Sequence, residues 1–178
     1  MAYEEGTLEI MSPSNLHETI KRIIGRFIET FTEVLDIDIR SAGSTTFKLE
    51  ARRRGFEADE SYYIQQEAAV RGSEEIDLGV DPPPDLVLEV DLSRSSFGKL
   101  GIYWSLQVPE VWLYDGRLRI YRRNAAAEGR YDEEPRSTVL VQLEPSVVER
   151  FLDQRRELSE TELLRSFRAW VCATFGAQ

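Results

Sequence analysis

Residues 84–91 read PDLVLEVD and residues 56–64 read FEADESYYI. Both have the length and alternation of short β-strands. On the first, the two-residue period puts Leu86, Leu88 and Val90 on one face and Asp85, Val87, Glu89 and Asp91 on the other. On the second, Asp59 shares its parity with Ser61 and Tyr63. If the two strands are neighbours, about 4.8 Å apart, Asp59 and Glu89 meet across one face. Carboxylates placed where a strand is otherwise apolar cost folding energy unless they bind something. A hard divalent cation is the commonest partner: Mg²⁺ takes oxygen ligands and keeps several waters, so few carboxylates suffice. The competing reading for Glu89 is a salt bridge to an arginine, and for Asp59 a turn residue. Asp85, beside three prolines, reads as a turn or cap.

Lys99 follows at the start of an expected helix, with Tyr103 four residues on and so on the same face. The chain has nineteen arginines and only three lysines, Lys21, Lys48 and Lys99. A lysine at this point suits a role for a compact, proton-exchanging ammonium, against the plainer reading of a solvated side chain. His17 lies at the border of the first helix's apolar stripe, where a packed imidazole is the commoner outcome. Glu18 falls on the polar side, as a first-turn acid that complements the helix dipole.

Outward from these segments the pattern is that of alternating strands and helices. Residues 6–11 read as an opening strand, and Ser12-Pro13-Ser14 ends it. Apolar residues at Leu16, Ile20, Ile23, Ile24, Phe27, Ile28, Phe31, Val34 and Leu35 form a 3.6-residue stripe, an amphipathic helix. Residues 37–40 and 45–49 read as strands, the second joined by ARRRGF to a third at 60–64, most simply as a hairpin. Residues 65–81 read as a loop with one helical turn, and Pro82-Pro83-Pro84 delivers the chain into LVLEV. A helix capped within residues 93–96 runs to about Gln107. EVWLYD and LRIYRR flank Asp115-Gly116, a type I′ hairpin signal. Residues 124–137 read as a charged loop, 138–143 as a strand, and Pro145 opens a short helix. Ser159 and Glu162 form a capping box for the last helix. The expected class is α/β or α+β, one domain over residues 1–178, with a mixed sheet flanked by helices.

The formal net charge of −10 opposes nonspecific coating of nucleic acid. Charge is nevertheless local. Basic runs at Arg52, Arg53 and Arg54 and at Arg117, Arg119, Arg122 and Arg123 read either as solvated faces or as a phosphate-contacting rim around an acidic centre. One cysteine, Cys172, precludes an internal disulfide, and with one histidine it cannot build an ordinary zinc site. No apolar run approaches the roughly 20 residues of a membrane span, and MAYEEGTLEI lacks a signal-peptide layout. The expected location is the cytoplasm.

GTLEIMSPSNLHETIKRIIGRFIE, GFEADESYYIQQEAAVRG, IDLGVDPPPDLVLEVDLSRSS and GKLGIYWSLQVPEVWLYDGRLRIYR resemble, in order and spacing, the Uma-two family of restriction endonuclease-like proteins. The most specific parts are EADE and the EVDLSRSS…K…Y…VPEVW run. The resemblance implies the PD-(D/E)XK nuclease fold and a magnesium-dependent phosphodiesterase centre, with Mn²⁺ as an alternative metal. It implies Asp59, Glu89 and Lys99 as catalytic residues, with Asp59, Glu89 and the Val90 carbonyl around the metal. His17, Glu18, Asp91 and Tyr103 stand as supporting groups, and Arg52, Arg53, Arg54 and Arg94 as contacts for DNA. Self-association is a further expectation. In this sequence Ala58 stands where the family usually has proline. Asp91 stands where the wider superfamily has the lysine of Glu-x-Lys, so Lys99 has to reach in from the helix. A binding or assembly module that keeps the fold without turnover is the alternative, favoured by the net charge and by that displaced lysine.

Overall fold

A computed structural model describes residues 2–4, 7–9, 14–49, 54–92 and 97–176. At its centre runs β7 (Leu86–Val90), buried at all five positions. Both faces of the strand are covered, and Glu89 is the one polar residue among its five. It pairs antiparallel with β6 (Glu60–Tyr63) and parallel with β8 (Glu110–Tyr114). The parallel link requires a crossover, supplied by α3 (Phe97–Ser105). Outside these lie β9 (Leu118–Arg123) and β10 (Tyr131–Glu134) on one side and β3 (Arg40–Ser41) on the other. The six-stranded mixed sheet has the order β10-β9-β8-β7-β6-β3.

A second sheet has four strands in the order β2-β1-β5-β4. They are β1 (Ala2–Glu4), β2 (Thr7–Glu9), β4 (Thr46–Leu49) and β5 (Arg54–Glu57). Only Ala58 and Asp59 separate β5 in this sheet from β6 in the larger one.

Strand parity divides the core. Leu86, Leu88 and Val90 join Trp112 and Ile120 under α1 (Asn15–Val34), α4 (Pro145–Asp153) and α5 (Glu160–Phe175). The α1 stripe buries Ile20, Ile23, Ile24, Phe27, Ile28 and Phe31 here, and Phe27 stacks on Phe167 at 4.4 Å. Gly25 lets α1 approach β6, since a Cβ there would stand 2.8 Å from the Tyr62 hydroxyl oxygen. On the opposite face Val87, Val111 and Tyr121 pack with Tyr63, Phe47, Phe56 and Tyr103.

The segment after β10 is held by a buried acid. Glu110 accepts from Trp112 Nε1 (2.7 Å), Ser137 Oγ (2.5 Å), Thr138 N (2.7 Å) and Thr138 Oγ1 (2.9 Å). Four donors around one carboxylate satisfy its capacity.

Several expected elements differ. The opening segment holds the antiparallel pair β1–β2, in place of one strand over 6–11; residues 6, 10 and 11 lie outside the described residues. Residues 45–49 do not pair with 60–64. Their partner is β5, with Thr46 opposite Glu57, while β6 departs into the larger sheet. Of the strand expected over 37–40, only Arg40 finds a ladder partner, and Ser41 extends it. Residues 138–143 form no strand, because Ser137 Oγ and Glu110 take their first amides. The charged loop over 124–137 contains β10, an edge strand whose acidic composition suits that place. The β8–β9 turn spans residues 115–117 and closes with Asp115 N donating to Arg117 O (3.2 Å); only Gly116 has positive φ, so it is not type I′. α3 ends at Ser105, two residues before Gln107, which takes φ 65°. The helical turn in 65–81 is α2 (Glu67–Val70), and the Ser159–Glu162 capping box is present.

Candidate active site

The β6–β7 register sets Glu60 opposite Leu88, which places Asp59 at the level of Glu89. Asp59 itself sits in the bend before β6. With β6 not yet begun, the Val90 amide on that side lacks a ladder acceptor. The Asp59 side chain supplies one: Val90 N donates to Asp59 Oδ2 at 2.8 Å.

From α1, His17 Nε2 reaches the same Oδ2 at 3.0 Å. The first turn of α1 is fixed by Ser14 Oγ, which accepts from His17 N (3.2 Å). The other ring nitrogen, Nδ1, faces Glu18 Oε1 at 3.2 Å, and Glu18 Oε2 accepts from Lys21 Nζ at 2.8 Å. The hydrogen bond from Lys21 holds the Glu18 carboxyl below the usual range. Lys21, Glu18, His17, Asp59 and the Val90 amide thus form one polar chain from the surface to the sheet.

Glu89 points to the α3 face and is 2% exposed. Lys99 Nζ donates to its Oε2 at 2.8 Å, and the Tyr103 hydroxyl donates to its Oε1. Lys99 and Tyr103 lie one turn apart on α3, so a single helix face delivers both. The buried partner of Glu89 is therefore an ammonium, not a guanidinium. Burial pushes the Glu89 carboxyl above its ordinary range, Lys99 pulls it down, and the Asp59 charge pushes it up again. That last effect marks the two carboxylates as electrostatic neighbours. Burial and Glu89 push the Tyr103 phenol far upward, so it remains a donor.

A family model described as "Uma2: Putative restriction endonuclease" matches residues 1–165. The chain belongs to this family. A solved structure titled as "a putative nuclease belonging to DUF820 from Anabaena variabilis" is similar to it, with TM-score 0.52 and 17% identity. That likeness covers 94% of this chain and 90% of the other. At this identity it shows the fold alone, a mixed sheet flanked by helices as the sequence led one to expect. No curated protein matches.

In this Uma2 chain the structure brings together Asp59, Glu89, Val90, Lys99, Tyr103, His17 and Glu18. Asp91 is buried, and its amide donates to Tyr114 O at 2.7 Å, which continues the parallel ladder past Val90. Arg52, Arg53 and Arg94 and the side chain of Arg54 lie outside the described residues. Asp85 is a cap: its Oδ2 accepts from Ile64 N (2.7 Å) and Gln66 N (2.9 Å). Sequence reading missed Lys21, although its i,i+3 spacing from Glu18 was a usable signal. It also missed the Glu110 anchor, which no local pattern announces. No helix of the described residues is long and apolar enough to cross a membrane.

The donor chemistry fits a hard cation. Asp59 Oδ1 carries no hydrogen bond from a described residue, and its side chain is 21% exposed. Each Glu89 oxygen accepts one bond, and a carboxylate has about four lone-pair sites. Two carboxylates and a backbone carbonyl match what Mg²⁺ asks of a protein when phosphate and water complete its shell.

Proposed function

We propose that this protein is a metal-dependent nuclease that hydrolyses phosphodiester bonds, with DNA as the substrate. One observation carries the reading: Asp59 stands at the level of Glu89 across the β6–β7 pair, with an ammonium already on Glu89. Two neighbouring acids and a lysine are the groups such a hydrolysis needs, one set to hold a cation and the other to manage charge at phosphorus.

Asp59, Glu89 and the Val90 carbonyl are the residues that would hold Mg²⁺, with Mn²⁺ as its substitute. When bound, the ion supplies Lewis acidity and brings water toward neutral pKa. Lys99 offsets negative charge developing on the phosphoryl oxygens, in a place where Glu89 keeps the ammonium fixed and partly dehydrated. It can also orient the attacking water as a hydrogen-bond donor. Tyr103 holds Glu89 against α3, so the carboxylate does not swing away from the strand. The acidic net charge sets a limit on affinity for nucleic acid, which a local arginine rim at Arg52, Arg53, Arg54 and Arg94 would offset.

The test is cleavage of linear and supercoiled DNA, and of RNA as a comparison, with Mg²⁺ and with Mn²⁺. Wild type is expected to cut DNA, and Glu89→Gln and Asp59→Asn to lose turnover while keeping the far-UV circular dichroism of a folded chain and a cooperative melt, at a lower temperature for Glu89→Gln because Lys99 loses its buried partner. A wild type that cuts no DNA with either metal, or a Glu89→Gln protein that cuts as well as wild type, overturns the reading. The first result leaves a binding module on a nuclease scaffold.

A further inference from the structure

The Asp59 carboxylate is held from two directions, by the Val90 amide at 2.8 Å and by His17 Nε2 at 3.0 Å, both on Oδ2. Both contacts fall on one oxygen, which leaves Oδ1 for a ligand. The imidazole is in turn fixed at Nδ1 by Glu18, and Glu18 by Lys21. His17 is 6% exposed and stands at the first turn of a 20-residue helix, so its position is set by α1 as a whole. A packed histidine in an apolar stripe has no need of acceptors on both nitrogens. This one has them, and one acceptor is the acid proposed to hold the cation.

We infer that His17 is a positioning residue: by donating from Nε2 it locks the Asp59 carboxylate onto the Val90 amide and presents Oδ1 to the cation, with Glu18 and Lys21 fixing the ring. The physical gain is preorganisation. An Asp carboxylate free to rotate about its χ angles must be ordered when the ion binds, whereas one already bonded on a single oxygen is not. The Val90 amide and the Val90 carbonyl belong to the same strand end. The histidine therefore sets the distance between two of the proposed ligands through one hydrogen-bonded bridge.

The inference rests on the metal-site reading above, and its test separates the two. The side chain of Gln places an amide nitrogen near the Nε2 position of histidine, and that of Asn places one near Nδ1. His17→Gln is expected to keep the bond to Asp59, and His17→Asn to lose it. The first readout needs no metal: the Val90 amide resonance in the ¹⁵N-labelled protein. A carboxylate acceptor holds that resonance downfield, so it should stay near its wild-type position in His17→Gln and move upfield in His17→Asn. The second is Mn²⁺ affinity by calorimetry, expected to fall roughly 10–100-fold in His17→Asn and by less than about threefold in His17→Gln. Glu18→Ala, on the exposed end, should shift the resonances of the chain's one imidazole and weaken Mn²⁺ binding severalfold.

If the two His17 variants move the Val90 amide equally, or neither moves it, histidine is a packing residue and the inference is overturned. Equal Mn²⁺ affinities in the two variants overturn it as well. If the Val90 amide discriminates between the variants but wild type binds no Mn²⁺, the positioning of Asp59 stands and the nuclease reading fails.

Discussion

The Lys99 ammonium lies 2.8 Å from the Glu89 carboxylate, with both residues buried and the lysine on the helix that leaves the strand carrying the acid. The pair closes a short loop of chain across the β7–α3 junction. It puts a lysine beside Glu89 from a different element, although position 91 of the strand itself carries Asp91.

Lys99→Met should destabilise the protein by roughly 3–5 kcal/mol near pH 7.5, the range for breaking a buried pair on one side. The loss should shrink at lower pH. Burial already raises the Glu89 pKa, and without the ammonium it rises further. An acid whose folded-state pKa is raised takes up a proton on folding, so the mutant's stability falls as pH rises above the unfolded-state value. Urea unfolding at two pH values checks this, and adding Glu89→Gln to Lys99→Met should recover most of the loss.

Tyr103→Phe removes the hydroxyl bond to Glu89 and keeps the ring, which sits edge-on to Phe56 at 4.7 Å. The lost bond was lowering the Glu89 pKa, so that pKa moves up. Metal needs the ionised carboxylate, and the acid-side limit of Mn²⁺ binding should therefore move to higher pH. Calorimetric titration across pH measures the limit, and the protein should lose no more than about 1–2 kcal/mol of stability.

Glu60 opens β6 under α1 and receives one bond from the described residues, at 3.3 Å, from the largely exposed Arg22. Burial raises its pKa despite Lys21 and Arg22. Its folded pKa exceeds its unfolded one, so ionised Glu60 costs stability above that window and nothing below the unfolded value. Glu60→Gln should stabilise by about 1 kcal/mol at neutral pH, the scale of one poorly satisfied polar group. The gain should vanish in thermal melts at pH 4.

The Tyr62 hydroxyl is buried and has no hydrogen-bond partner among the described residues. Tyr62→Phe should therefore stabilise, by about 1 kcal/mol. Gly25→Ala should destabilise although alanine is the better helix former by roughly 1 kcal/mol, because its Cβ meets that hydroxyl. In the double variant the clash is gone and the helix preference of alanine returns. A double-mutant cycle in urea reads the coupling.

Glu110→Gln should cost about 3 kcal/mol, since all four of its partners are donors and an amide nitrogen can accept from none of them. Hydrogen exchange should rise first in residues 137–143.

Local patterns carried the site better than the sheet arrangement. The parity of PDLVLEVD separated Glu89 from Leu88, and the four-residue step from Lys99 to Tyr103 placed both on one helix face, because both periods are properties of the backbone. Lys99 was legible as unusual, and its reach to Glu89 follows from α3 starting just after β7. The strand around Phe56 was not legible as separate from β6: no periodicity says which sheet a strand joins, and the two-residue break at Ala58-Asp59 looks like the middle of one strand. The apolar alternation in 138–143 imitates a strand, and only the distant Glu110 decides against it. His17 has the spacing of a core residue, and its bond to Asp59 depends on a helix crossing a strand end.

Ala58 and Asp59 form the shorter of the described chain links between the small sheet and the large one, the other being residues 42–45, and Asp59 is also the acid gripped by the Val90 amide. A shift of β5 along this link reaches the carboxylate across one intervening residue. Anything that displaces β5 would therefore also bear on how tightly that oxygen is seated.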